Sequence, residues 1–106
     1  MEELTIDFIR KLCENKSVIW TKHVLKRLQE RKIYREDVFN AIFTGKIIEQ
    51  YPDSYPHPAC LVLGVCLNNI PLHIVLGCDG EFLSIITVYF PTTDKFENDL
   101  QTRKEK

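Results

Sequence analysis

The hydrophobic rhythm of this 106-residue chain changes once, at Gly45. Before that point apolar residues recur at the 3.6-residue spacing of amphipathic helices; after it they fall into short β-branched runs of the kind that pair as strands. A chain that places its helices first and its strands afterwards does not alternate as a doubly wound sheet must. The order predicts an α+β domain with about three N-terminal helices packed on an antiparallel sheet of about four strands.

Leu4, Phe8, Ile9 and Leu12 mark a first helix ending near Glu14. Ser17-Val18-Ile19-Trp20 is a short apolar approach to Thr21, whose hydroxyl suits an N-cap, so a second helix should run to about Arg31. Ile33-Tyr34 interrupts. Glu36 and Asp37 then favour a new helix N-terminus, Val38, Ala41 and Ile42 give its apolar face, and Gly45 stops it. Lys46 to Tyr51 reads as a strand, followed by a loop in which Pro52, Pro56 and Pro58 remove donors and fix φ. Cys60 to Leu67, Ile70 to Gly77 and Phe82 to Phe90 read as three further strands. Asn68-Asn69 and Asp79-Gly80 are expected to be the two-residue turns between them. All of this fits one domain over residues 1–106, with a folded core to residue 96 and a charged tail, 97–106, expected to fray.

The net charge of −1 hides an asymmetry. Residues 1–46 hold ten Lys plus Arg and seven Asp plus Glu, a balance of +3, and residues 47–106 hold four and eight, a balance of −4. Between Ser17 and Arg35 the six cations Lys22, Lys26, Arg27, Arg31, Lys32 and Arg35 face only Glu30, a local +5. Such a concentration suits phosphate or an acidic partner; a solvated helix face is the plainer alternative. No apolar run approaches the ~20 residues needed to cross a bilayer, and Met1-Glu2-Glu3 is acidic where a secretory leader would be basic, so a cytoplasmic location is expected. Cys13, Cys60, Cys66 and Cys78 form no C-x-x-C pair and lie mostly in apolar runs, which predicts buried free thiols rather than disulfides or zinc ligands.

On a helical wheel His23, Arg27 and Arg31 form an i, i+4, i+8 stripe bordering the apolar arc of the second helix, with Lys22 and Lys26 on the far side. Cations four residues apart repel, so either carboxylates or an anion should answer them. In the sheet, a two-residue turn at Asn68-Asn69 sets Leu61, Leu63 and Val65 on one face with Leu72, Ile74 and Leu76, and turns His73 to the other face opposite Gly64. That placement predicts free space above His73, although a histidine packed under a loop is the structural alternative. Tyr89 could serve either face. Gly-rich phosphate loops, H-E-x-x-H and G-x-S-x-G are absent from the sequence, and His23, His57 and His73 are scattered, so neither a metal nor a cofactor is called for. A set of His, Arg, Lys and Tyr suits metal-independent cleavage of RNA: a base for the 2'-hydroxyl, an acid for the leaving oxygen and a guanidinium for the phosphate charge.

Thr21-Lys22-His23, Arg27, Glu30-Arg31, Tyr51-Pro52-Asp53, Pro58-x-Cys60-Leu61-Val62-Leu63-Gly64, Pro71-Leu72-His73-Ile74-Val75 and Ile86-Thr87-Val88-Tyr89-Phe90-Pro91 follow one another in an order that resembles the small bacterial family called domain of unknown function 4258. That family looks like a branch of the RelE-like ribonuclease-toxin fold, often encoded beside a zinc-finger antitoxin of the MqsA kind. The resemblance implies a type II toxin that cuts or blocks messenger RNA and is held inactive by its antitoxin. Independently, the basic helix and apolar strand edges of so small a protein call for a covering partner, the antitoxin first and a second copy as the alternative. His23, Arg27, His73 and Tyr89 fall on recurrent polar positions of that family, which points to a shared site without assigning roles. An endoribonuclease would use His73 or His23 as base or acid, Arg27 on the phosphate charge, Tyr89 as a further phenol of the site, and Lys22, Lys26 and Arg31 on the RNA. The competing reading is a non-catalytic binding module whose basic helix docks an acidic protein. Convergence of His23, Arg27 and His73 on one open cleft would favour the enzyme, and their separation the module.

Overall fold

The structure, a computed structural model, describes residues 4–93, 96–97 and 99–102. Three helices precede most of the sheet, as the periodicity predicts: α1 (Ile6–Glu14), α2 (Lys22–Arg31) and α3 (Arg35–Thr44). Each begins where a side chain can satisfy its free N–H groups. Thr5 accepts from the Phe8 amide at 3.2 Å, Thr21 from the Val24 amide at 3.1 Å, and the Asp37 carboxylate reaches back to the Tyr34 amide at 3.0 Å. At the other end of α3, Arg10 of α1 donates to the carbonyls of Ile42 and Gly45 at 3.2 and 3.0 Å, filling acceptors the helix leaves open.

Five strands, not four, form the sheet: β1 (Val18–Trp20), β2 (Lys46–Tyr51), β3 (Ala59–Val65), β4 (Pro71–Cys78) and β5 (Leu83–Tyr89). Their order is β1-β5-β4-β3-β2. The additional strand is the short approach before Thr21, and it runs parallel to β5, with Val18 beside Leu83 and Trp20 beside Ile85. The sheet is therefore mixed, although β2 to β5 are antiparallel throughout.

The turn between β3 and β4 differs from expectation in a way that moves every side chain. The Cys66 amide bonds the Ile70 carbonyl at 2.8 Å, and the loop between them has three residues, Leu67 to Asn69, with Asn69 in the left-handed region at φ 67°. Asp37 on α3 accepts from the Leu67 amide at 3.0 Å, and Asn40 donates to the Val65 and Cys66 carbonyls at 2.9 and 3.2 Å. The helix thus holds the hairpin end. One residue more in the loop slips the register by one, so Gly64 stands opposite Leu72 and His73 opposite Leu63. The expected shared face is corrected accordingly: Val62 and Gly64 lie with Leu72, Ile74 and Leu76 against the helices, while Leu61 and Leu63 turn away. The Asp79-Gly80 turn is also longer than two residues, since β4 ends at Cys78, paired with Leu83, and the Asp79 carboxylate accepts from the amides of Glu81 and Phe82 at 2.8 Å each.

The main core joins Ile9, Leu12, Val24, Leu28, Val38 and Ile42 of the helices to Cys60, Val62, Leu72, Ile74, Leu76, Ile85 and Val88 of the sheet. Its closest approach is at Gly64, where a Cβ would lie 1.9 Å from the Ala41 carbonyl oxygen, so only glycine lets α3 rest on β3 at this depth. All four cysteines are buried and unpaired, as their apolar settings predict. Among the described residues no helix is long and apolar enough to cross a membrane.

Candidate functional site

Strand alternation sends His73 away from its neighbours Leu72 and Ile74, and so onto the sheet face opposite the helices. There it pairs laterally with Leu63 on one side and Tyr89 on the other. The space predicted above it is filled, and the ring is fully buried. Phe96 packs against it edge-on, with ring centroids 4.7 Å apart, and the Leu100 carbonyl lies 2.7 Å from Nε2. A carbonyl can only accept, so Nε2 carries the proton. In the neutral imidazole Nδ1 then holds the lone pair, and the Tyr89 hydroxyl, 3.2 Å away, donates to it. A phenol that donates to an imidazole is a proton relay in form, but one whose inner member is closed off by residues 96 and 100. Among the described residues of the segment expected to fray, the Glu97 amide bonds the Thr102 carbonyl at 2.7 Å, and Asp99 accepts from the Gln101 and Thr102 amides at 3.0 Å each. Residues 103–106 lie outside the described residues.

Across the sheet from this pair, α2 buries Val24 and Leu28 and exposes Lys22, His23, Lys26 and Arg27. Arg27 meets Glu30 at 3.3 Å with both side chains about half exposed. Only the last member of the stripe sits at the border the wheel assigned to all three. Arg31 is half-buried and its Nη1 donates to the Val88 carbonyl. The reason lies in the strand pairing: β1 covers β5 only as far as Ile85, and Arg31 supplies a donor to the edge beyond it. His23 and Arg27 on one side and His73 and Tyr89 on the other are therefore two groups, with the sheet between them. The fixed pair is His73 with Tyr89.

Three features escaped the sequence reading. Of the cover of His73, Phe96 is the last residue of the expected core and Leu100 stands in the segment read as a frayed tail. Glu49 and Tyr51 share the His73 face and hydrogen-bond to each other, a pairing that the spacing of two in β2 could have signalled. Trp20, Phe39 and Phe43 line a cleft between α1, β1 and α3, foreshadowed by Phe39 and Phe43 at i and i+4. The buried thiols are not reactive groups: burial pushes Cys60 up to about 12 and Cys13 up to about 11, each from an ordinary 9.0. Among the described residues no three His, Cys, Asp or Glu side chains are grouped as metal ligands.

Compared with known proteins, the chain matches the family model described as domain of unknown function DUF4258 over residues 20–90. That span runs from Trp20 through the end of β5, so it holds α2, His73 and Tyr89 and leaves out Phe96 and Leu100. No curated protein and no solved structure matches the chain.

Proposed function

The chain belongs to the DUF4258 family, and from that premise we propose that it is a RelE-like toxin component that engages RNA through the exposed face of α2 and is restrained by a cognate antitoxin. The observation that carries this reading is the state of the helix cations. Lys22 and Lys26 are exposed with no carboxylate within ion-pair distance among the described residues, and Arg27 has only the solvent-screened Glu30. Arg31 is taken by the Val88 carbonyl, so three cations rather than four are available to phosphate. Retention of a single-stranded RNA should fall with salt at a slope of log affinity near −2, about 0.7 per neutralised phosphate. Lys22→Gln and Lys26→Gln should each reduce that slope by about 0.7. A chain that retains no RNA at low salt removes the reading.

Cleavage is the second reading: the separation of His23 and Arg27 from His73 favours a binding role, and cleavage rests on the 3.2 Å contact between Tyr89 and His73 alone. With the imidazole enclosed, the phenol is the member of the pair that a 2'-hydroxyl could meet, passing its proton inward to Nδ1. Such an enzyme needs no metal, leaves a cyclic phosphate and spares a substrate with 2'-deoxyribose at the scissile position. Tyr89→Phe should abolish it while leaving RNA retention intact. Cleavage that persists in Tyr89→Phe excludes the relay.

A further inference from the structure

On the flank of the domain away from His73, two clefts meet at Arg35. The first, about 350 Å³, is lined by Cys13, Val18, Trp20, Phe39 and Phe43 with Glu14 and Lys16 at its rim; the second, about 330 Å³, lies among Leu25, Leu28, Ile33, Tyr34 and Lys32. They share Arg35, the first residue of a stripe of α3 whose Phe39 and Phe43 line the first cleft alone. Arg35, Phe39 and Phe43 are spaced i, i+4, i+8, so they stack along one side of the helix over roughly 12 Å. Trp20 and Phe39 meet edge to face with centroids 5.6 Å apart, and the Arg35 guanidinium lies over the Trp20 ring at 5.7 Å. Phe43 is 43% exposed and Tyr34 68%.

Charge identifies what such a groove accepts. Lys16, Lys32 and Arg35 surround it with Glu14 as the one carboxylate, and none of the three cations has an ion pair among the described residues. Apolar walls between unanswered cations complement a segment that is apolar on one side and acidic on its flanks. Base stacking fits less well, because one face of Trp20 is already covered by the guanidinium and Phe39 packs perpendicular to the ring.

We propose that the joined clefts at Arg35 dock an acidic amphipathic helix of a partner protein, its apolar side chains entering beside Phe43 and Tyr34 and its carboxylates meeting Lys16, Lys32 and Arg35. Lys22, Lys26 and Arg27 do not line the clefts, although Gln29 of α2, on the same helix face as Lys22 and Lys26, lines the second; the proposal stands whether or not RNA binds α2. The probe is a labelled synthetic helix of about 16 residues with Leu at i, i+4 and i+7 and Glu between them, titrated into the full chain by fluorescence anisotropy. A peptide of the same composition with its stripe scrambled and a striped peptide with Lys in place of Glu are the comparisons. The striped acidic peptide should bind at least tenfold more tightly than either. Phe43→Gln and Arg35→Glu should each weaken it about tenfold, and Arg35→Glu should improve binding of the Lys peptide. Both positions are exposed, so an unchanged thermal midpoint certifies the fold, and in Phe43→Gln RNA retention through Lys22 and Lys26 should not change. Equal binding of the scrambled peptide, no binding of the striped one, or loss of RNA retention in Phe43→Gln overturns the proposal; the last would make the cleft part of a nucleic-acid surface. Absence of RNA retention in the parent chain, with peptide binding intact, overturns only the RNA reading.

Discussion

The two faces of the sheet are built on different principles. The helix face is closed by apolar volume: Val62, Leu72, Ile74 and Leu76 are fully buried beneath α2 and α3, and Gly64 admits the Ala41 backbone. The opposite face has a polar centre, where His73 is held by the Tyr89 hydroxyl and the Leu100 carbonyl, and its cover is a short segment without a helix. Volume tolerates no added atom, whereas a hydrogen-bonded cover can be loosened by removing a donor. The contrast teaches where stability and adjustability reside in so small a domain.

The harshest test of this contrast is Gly64→Ala. Its methyl group would overlap the Ala41 carbonyl, and backbone cannot step aside as a side-chain tip can, so urea denaturation should show a loss of about 3 kcal/mol or more. A loss below 1 kcal/mol would mean that the helix face is not closed by fit.

His73→Leu comes next. It keeps the ring's volume roughly but leaves the Leu100 carbonyl and the Tyr89 hydroxyl without their partner, a cost of about 2 kcal/mol. Hydrogen exchange should accelerate at residues 97 and 99–102 while the amides of α1 and α3 stay protected. Equal acceleration on both faces would erase the distinction between them.

Alkaline pH probes the helix face through its thiols, because Cys13 and Cys60 both belong to its core. Their folded-state pKa values, about 11 and about 12, lie above the ordinary 9.0, so the protonated thiols favour folding fully below pH 9. As pH rises from 9 toward 12 the unfolded chain releases protons that the folded chain retains, and stability falls by up to about 1.4 kcal/mol per pH unit for each thiol. Cys60→Ala should reduce that slope. Thiol reagents should label neither residue at pH 8 until the chain is unfolded.

The smallest effect separates a structural arginine from an RNA-facing one. Arg31→Met removes the donor to the Val88 carbonyl and should cost about 1 kcal/mol in stability. It should leave the salt dependence of RNA retention unchanged, whereas Arg27→Gln should reduce that dependence and barely alter stability. A steep RNA effect from Arg31→Met would return this residue to the RNA surface.

Local signals in the sequence were reliable where the chain folds on itself nearby. Thr21 caps α2 as its hydroxyl predicts, and Gly45 ends α3 where periodicity stops. The failures involve partners distant in sequence. Val18 to Trp20 is too short to announce a strand, and its neighbour in space is Leu83 to Ile85. Asn68-Asn69 suits a two-residue turn and also a three-residue loop with Asn69 left-handed; Asp37 and Asn40 of α3 favour the second. That single residue decided the face of Leu61 and Leu63 and gave His73 a leucine for a neighbour in place of a glycine. The His73–Tyr89 pair was legible as two chemically suitable residues, but the carbonyl that fixes the imidazole tautomer comes from Leu100, and a backbone group leaves no trace in residue type.

The parallel pairing of β1 with β5 also carries a kinetic consequence. Val18 and Leu83 are 65 positions apart, and bringing their ends together in a disordered chain costs on the order of 3 to 4 kcal/mol of closure entropy, more than any of the three antiparallel hairpins requires. Three residues of strand repay little of that in advance, so β1 joins only after β3, β4 and β5 have assembled and shortened the effective loop. Loosening it, by Val18→Ala for example, should hasten unfolding and leave the refolding rate nearly unchanged, because the strand contributes after the rate-limiting barrier has been crossed.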